Sequence, residues 1–385
     1  MSLALQRRAF WLLLAAKLAG GWGVGWDIRW HMLIGRDSFW IPPHVLTYAS
    51  VVAVSLLSLG VLLAGTRNTR SLGHLPEGAI RVAGLVGSRG FHLAWWGMAV
   101  TILAAPIDDL WHRLFGIDVT LWSPPHLLGL AGAQISTLGC LLIALEVYAP
   151  GSGGQRAALL AAGSTLVSGF IIALTPGFRT AFLNGGTLFF TYALLGGLLL
   201  AFPLVLVTRL GGGRWAPVVV VLGALVIQIS TMLVASVGFA LFQPVSAVAE
   251  AIAADPTSPI AIAHEIARRN GTVVGRSLIA YWMPLVPAVL MTLVDARRRW
   301  TMAAGIFGVA LVIANGLMLG RSPAFAQVLP GTGDAVLALV ATALTSLAGA
   351  WCAERLAKLF TGVNFPTVEQ GHGSVAAHAS GLRAR

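Results

Sequence analysis

Residues 186–208, GTLFFTYALLGGLLLAFPLVLVT, run for 23 positions without a charged side chain. A hydrocarbon core about 30 Å thick is crossed by roughly 20 apolar residues of helix, so this stretch reads as a membrane span. A barrel strand would instead alternate apolar and polar residues over about ten positions. Runs of the same kind recur at 8–33, 44–65, 91–112, 125–148, 155–175, 215–241, 278–295, 300–320 and 333–353. The expected fold is all-α: a polytopic helical membrane protein of about ten transmembrane helices, each satisfying its own backbone.

The rest of the chain agrees. Of its 385 residues 57% are hydrophobic and 10% charged, against about a quarter charged in a soluble domain. That excludes a water-soluble fold and disorder. The first run follows Arg7 and Arg8 but continues too long for a cleaved signal peptide. Cys140 and Cys352 lie inside apolar runs and form neither a disulfide framework nor a CxxC metal site.

The net charge of +11 is explained by its placement. With the N-terminus inside, the cytoplasmic segments hold fourteen basic residues, from Arg7 and Arg8 to Arg355 and Lys358. The opposite side holds eight: Arg29, Arg36, Arg113, Arg179, Arg268, Arg269, Arg276 and Arg321. This bias sets orientation and places both termini in the cytoplasm, as in a bacterial inner-membrane protein. It is not a nucleic-acid footprint.

Three regions are expected. Residues 1–150 form a four-helix membrane unit, and 151–360 a further transmembrane bundle. Within the latter, 242–277 is an extracytoplasmic segment that reads as amphipathic helix at the interface. Its His264-Glu265 pair resembles half a metal motif, but no HExxH follows and the pair reads as surface. Residues 361–385 (with His372 and His378) are Gly-, Ser-, His- and Ala-rich and expected to form a mobile, solvated tail.

An internal correspondence carries the functional reading. Residues 27–46 are DIRWHMLIGRDSFWIPPHVL, and residues 108–128 are DDLWHRLFGIDVTLWSPPHLL. One extra residue in the second stretch aligns Asp27, Trp30 and His31 with Asp108, Trp111 and His112. The register continues through Gly35 and Gly116, Asp37 and Asp118, Trp40 and Trp122, and Pro-Pro-His ending at His44 and His126. Each stretch spans the end of one helix, a short loop and the start of the returning helix.

The spacing suits a metal. Asp27 and His31 are four apart, so they share a helix face with Cβ atoms about 5–6 Å apart. Pro43 fits the first turn of the returning helix, with His44 just inside it. One carboxylate and two imidazoles then converge near the outer membrane surface, and Asp108, His112 and His126 repeat the set. Asp109 is a second candidate acid on nearly the same face. This donor set suits copper, zinc or iron. Asp37 and Asp118 read as helix caps or partners of the ligating rings, and Trp40 and Trp122 as shields. A lone intramembrane histidine is commonly just hydrogen-bonded to a neighbouring helix. Two sets in register, in a setting where such residues are costly, favour metal binding.

The pattern Asp27-x3-His31-x12-His44 resembles a copper-site pattern in the C subunit of the copper membrane monooxygenases, the particulate methane and ammonia monooxygenase group. Asp108-x3-His112-x13-His126 is similar to the adjoining pattern of that subunit, where the family has Asn at the position of Asp108. The resemblance covers about residues 9–148. It implies copper held by His31, His44, His112 and His126, completed by Asp27 and Asp108. It further implies O2 and a small apolar substrate as reactants, and other membrane subunits as partners.

Other readings make different demands. A metal carrier or permease calls for polar residues strung along the bundle, whereas Lys17, Gln134, Glu146, Gln228, Ser230, Thr231 and Asn315 are scattered. A haem cytochrome would not need carboxylates at fixed spacing. A purely structural subunit is the fourth reading, and the close glycine spacing of the later helices fits tight packing among them or against partners.

Overall fold

The computed structural model describes residues 2–35, 38–115 and 121–362. Two long hairpins come first, α1 (Leu3–Leu33) with α2 (Pro42–Leu72), then α3 (Arg89–Phe115) with α4 (Pro124–Val147). There follow α5 (Gly153–Leu174), α6 (Pro176–Asn184), α7 (Thr191–Val207) and α8 (Ala216–Phe242). Short helices α9 (Val248–Ala254), α10 (Pro259–Arg269), α11 (Ile279–Trp282) and α12 (Leu285–Leu293) lead to α13 (Trp300–Gly320) and α14 (Thr332–Thr361). The expected tail beyond 362, with His372 and His378, lies outside the described residues, as do Arg36, Asp37, Gly116 and Asp118.

Among the described residues, eight helices are long and apolar enough to cross a membrane. Two of the ten expected spans depart from that description. The first is a continuous helix of 31 residues that carries Arg7, Arg8, Lys17, Asp27 and Arg29 and is not among the eight. The run at 278–295 divides into α11 and α12 around Pro284, whose ring carries no N–H for a helical bond. A hairpin of strands β1 (Ala79–Val82) and β2 (Leu85–Ser88) joins α2 to α3. Its two-residue turn, Ala83-Gly84, has positive φ at both positions, the geometry that matches strand twist.

Helix α1 is the hub of the N-terminal half, packed on α2, α4 and α8, while α7 is enclosed by α5, α13 and α14. The α3–α4 crossing is among the closest. A Cβ added at Gly132 would lie 2.6 Å from the Thr101 backbone N, and one at Gly97 2.7 Å from the Gly132 carbonyl. Only glycine allows backbones to approach this far. The polar residues scattered through the spans act as ties between helices. Lys17 donates to the Ala133 carbonyl (3.1 Å), Gln134 to Leu166 O (2.8 Å), Trp22 Nε1 to Ser230 Oγ (2.8 Å) and Asn315 to Phe189 O (3.2 Å). Glu146 accepts from Ser88 Oγ (2.6 Å) and the Gly90 amide (3.1 Å), capping α3.

At the opposite end from the α1–α2 turn, Arg209 is not a solvated charge. A π-turn over Thr208–Gly212 directs it inward, where Nε lies 2.6 Å from Glu354 Oε2 and an Nη donates to Oε1 at 2.8 Å. Both side chains are about 5% exposed or less.

Candidate metal centres

Each hairpin brings its three donors to one point. Asp27 and His31 sit one turn apart near the end of α1, and Pro42 and Pro43 start α2 so that His44 enters its first turn. His44 Nε2 is 3.1 Å and His31 Nε2 3.5 Å from the same oxygen, Asp27 Oδ1. In the second hairpin His112 Nε2 and His126 Nε2 both lie 3.4 Å from Asp108 Oδ1. Within each triad the three donor atoms are all within 4.8 Å of one another. Donors on a tetrahedral ion with bonds of 2.0–2.1 Å are roughly 3.3 Å apart, so the carboxylate–imidazole separations fit a shared first-row metal ion.

The hydrogen bonding points the same way. His44 Nδ1–H donates to the Ser38 carbonyl at 3.0 Å. That bond sets the tautomer of the neutral ring and leaves a lone pair on Nε2. Nε2 then faces the Asp27 carboxylate oxygen at 3.1 Å, an arrangement that a metal ion between the two atoms would accommodate. Asp27 Oδ1, Asp108 Oδ1 and His112 Nε2 are shielded from solvent and accept or donate no hydrogen bond. Buried polar atoms are rarely left so, and a bound ion would satisfy them. Ser38, whose side chain is ordinary, supplies the outer contact through its backbone; Asp37, expected in that role, lies outside the described residues.

Three expected participants stand elsewhere. Asp109 turns away from the second triad, is largely exposed, and pairs with Arg113 at 2.8 Å. Trp40 is 72% exposed and packs edge-on against Phe39, while Trp122 donates to the Ala173 carbonyl at 2.8 Å. The aromatic ring beside the first triad is Tyr48, 5.7 Å from the His44 ring and itself packed on Phe39; on the other side of α1, buried Trp26 and Trp30 pack on Phe239 of α8.

The chain matches no protein-family model, no curated protein and no solved structure. The functional reading therefore stands on the two triads and on the resemblance of their spacing.

The segment 242–277 is more than surface. Ser246 Oγ donates to the Leu33 carbonyl (2.7 Å), the Ala247 amide to Ile34 O (2.7 Å) and His264 Nε2–H to Met32 O (2.7 Å). The last carbonyls of a helix have no partner within it, and here three consecutive ones find theirs in this segment, beside His31. Glu265 does remain outside, bonded to Arg268 (2.7 Å) and Arg269 (2.6 Å). Nothing local in the sequence signals these contacts.

Proposed function

We propose that the protein is an integral membrane metalloprotein with two transition-metal centres, Asp27–His31–His44 and Asp108–His112–His126. The observation that carries the reading is the convergence, in both hairpins, of two imidazole Nε2 atoms on one buried carboxylate oxygen. Two imidazoles with a carboxylate suit copper, zinc and iron. The resemblance to the C subunit of the copper membrane monooxygenases selects copper, and with it a subunit that hydroxylates a small apolar substrate using O2. On this reading the helices lie in a bacterial inner membrane with both termini in the cytoplasm and the centres at the extracytoplasmic side. The chain's own residues then hold the metal, fix the ring orientation through Ser38 and keep one side of α1 dry through Trp26 and Trp30.

The test is metal analysis of protein purified in lipid nanodiscs. Two equivalents of copper are expected per chain, with His31→Ala and His112→Ala each losing one. Protein that retains no metal, or variants that retain the full complement, would overturn the reading. Copper-dependent O2 consumption in the presence of small alkanes then checks the hydroxylase chemistry separately.

A further inference from the structure

The two triads share donors but not surroundings. Corresponding positions in the two hairpins differ sharply in exposure. Arg29 is 5% exposed and its counterpart Leu110 55%; Ile34 is 7% exposed and its counterpart Phe115 67%. In the first hairpin this face of α1 is covered by α8, with Arg29 Nη1 donating to the Met232 carbonyl (3.1 Å) and Trp30 stacked on Phe239. The last turn of α1 is then held by Ser246, Ala247 and His264.

The second hairpin carries an added source of freedom. Pro106 lies inside α3 just before Asp108, removing one backbone bond and the N–H that would make it. The corresponding residue of α1 is Gly25, packed against Thr231. The turn that carries Asp108 and His112 thus follows a position that lacks its helical bond and leads into the exposed Leu114 and Phe115. A metal held by three protein donors leaves when one donor swings away, and such local openings occur where few contacts resist them.

We propose that the two centres differ in exchange: Asp27–His31–His44 retains its metal, while Asp108–His112–His126 releases and rebinds it readily. His264 is a positioning residue for the first centre, acting through the Met32 carbonyl. The proposal rests on the metal-binding reading and deepens it. The first centre has the character of a resident site, and the second that of the site through which metal enters or is handed over.

Zinc serves as a redox-silent probe for the same donors. Zinc-loaded protein in nanodiscs is mixed with excess chromogenic chelator, and release is followed in time. Release in two phases of one equivalent each is expected, with His112→Ala abolishing the fast phase and His31→Ala the slow one. Combining His264→Ala with Ser246→Ala is expected to quicken the slow phase by about ten- to a hundredfold, the range seen when an outer partner of a metal site is lost, without changing total zinc. His264→Gln, which keeps an N–H donor, restores the slow rate, and Pro106→Ala slows the fast phase. A single phase, a slow phase that belongs to the second centre, or a slow phase indifferent to His264 overturns the proposal. Absence of bound zinc from the intact protein instead refutes the metal-binding reading itself.

Discussion

Asp27 Oδ1 lies 3.1 Å from His44 Nε2, joining the end of α1 to the beginning of α2 across a turn. The contact is between a carboxylate and a ring whose other nitrogen already donates to Ser38. Asp27→Ala removes the donor oxygens altogether. Its expected effect is loss of one metal equivalent, with a lower thermal midpoint in metal-loaded protein but not in metal-free protein, checked by metal analysis and unfolding of the same samples. Retention of both equivalents would show that the carboxylate is not a ligand.

The α3–α4 crossing depends on absent side chains. Gly97→Leu places atoms against the Ser136 backbone and is expected to cost about 1–3 kcal/mol, the range for overpacking. Gly60 on α2 has open space around it, so Gly60→Ala should leave the thermal midpoint unchanged or slightly raised. Equal effects of the two substitutions would contradict the close approach.

Arg209 and Glu354 form a buried pair. Removing one partner strands a charge, and Glu354→Ala should cost about 3–5 kcal/mol. Replacing both, as in Arg209→Met with Glu354→Leu, should recover most of that loss. Denaturant unfolding of single and double variants measures the difference.

The anchor of α10 responds to acid. Hydrogen bonds from Arg268 and then Arg269 hold the Glu265 carboxylate down at about 2, from an ordinary 4.5. A carboxyl lowered on folding contributes stability that is complete above its unfolded value and fades as pH falls through the folded one. Protection of the α10 amides from hydrogen exchange should therefore hold from neutral pH to about 4.5 and weaken towards about 2. Glu265→Gln should abolish that pH dependence.

The long apolar runs made most helices legible, because a span needs only length and hydropathy to declare itself. The triads were legible for a related reason: Asp and His are rare in such runs, so their spacing stood out. What escaped reading was non-local. Arg209 ends an apolar run and looks like any interfacial arginine, since the glutamate that takes it is 145 residues away. His264 and Ser246 reach α1 from more than 200 residues off. Trp40 and Trp122 align in sequence yet face different surroundings, because α5 stands beside only one of them.

At two corresponding levels of the hairpins the glycines sit on opposite helices, although Gly90 and Gly97 of α3 also approach α4. In the first, Gly20 and Gly23 of α1 meet Ser50 and Thr47 of α2; in the second, Thr101 and Ala104 of α3 meet Gly132 and Gly129 of α4. Two hairpins so alike, inserted one after the other, could exchange partners during assembly. Pairing α3 with the α2 face would oppose Thr101 to Ser50 and Ala104 to Thr47, with no glycine to admit either. Pairing α1 with the α4 face would oppose glycine to glycine and leave voids. At these two levels the side on which the glycine falls disfavours the swapped pairing as well as fitting the native one.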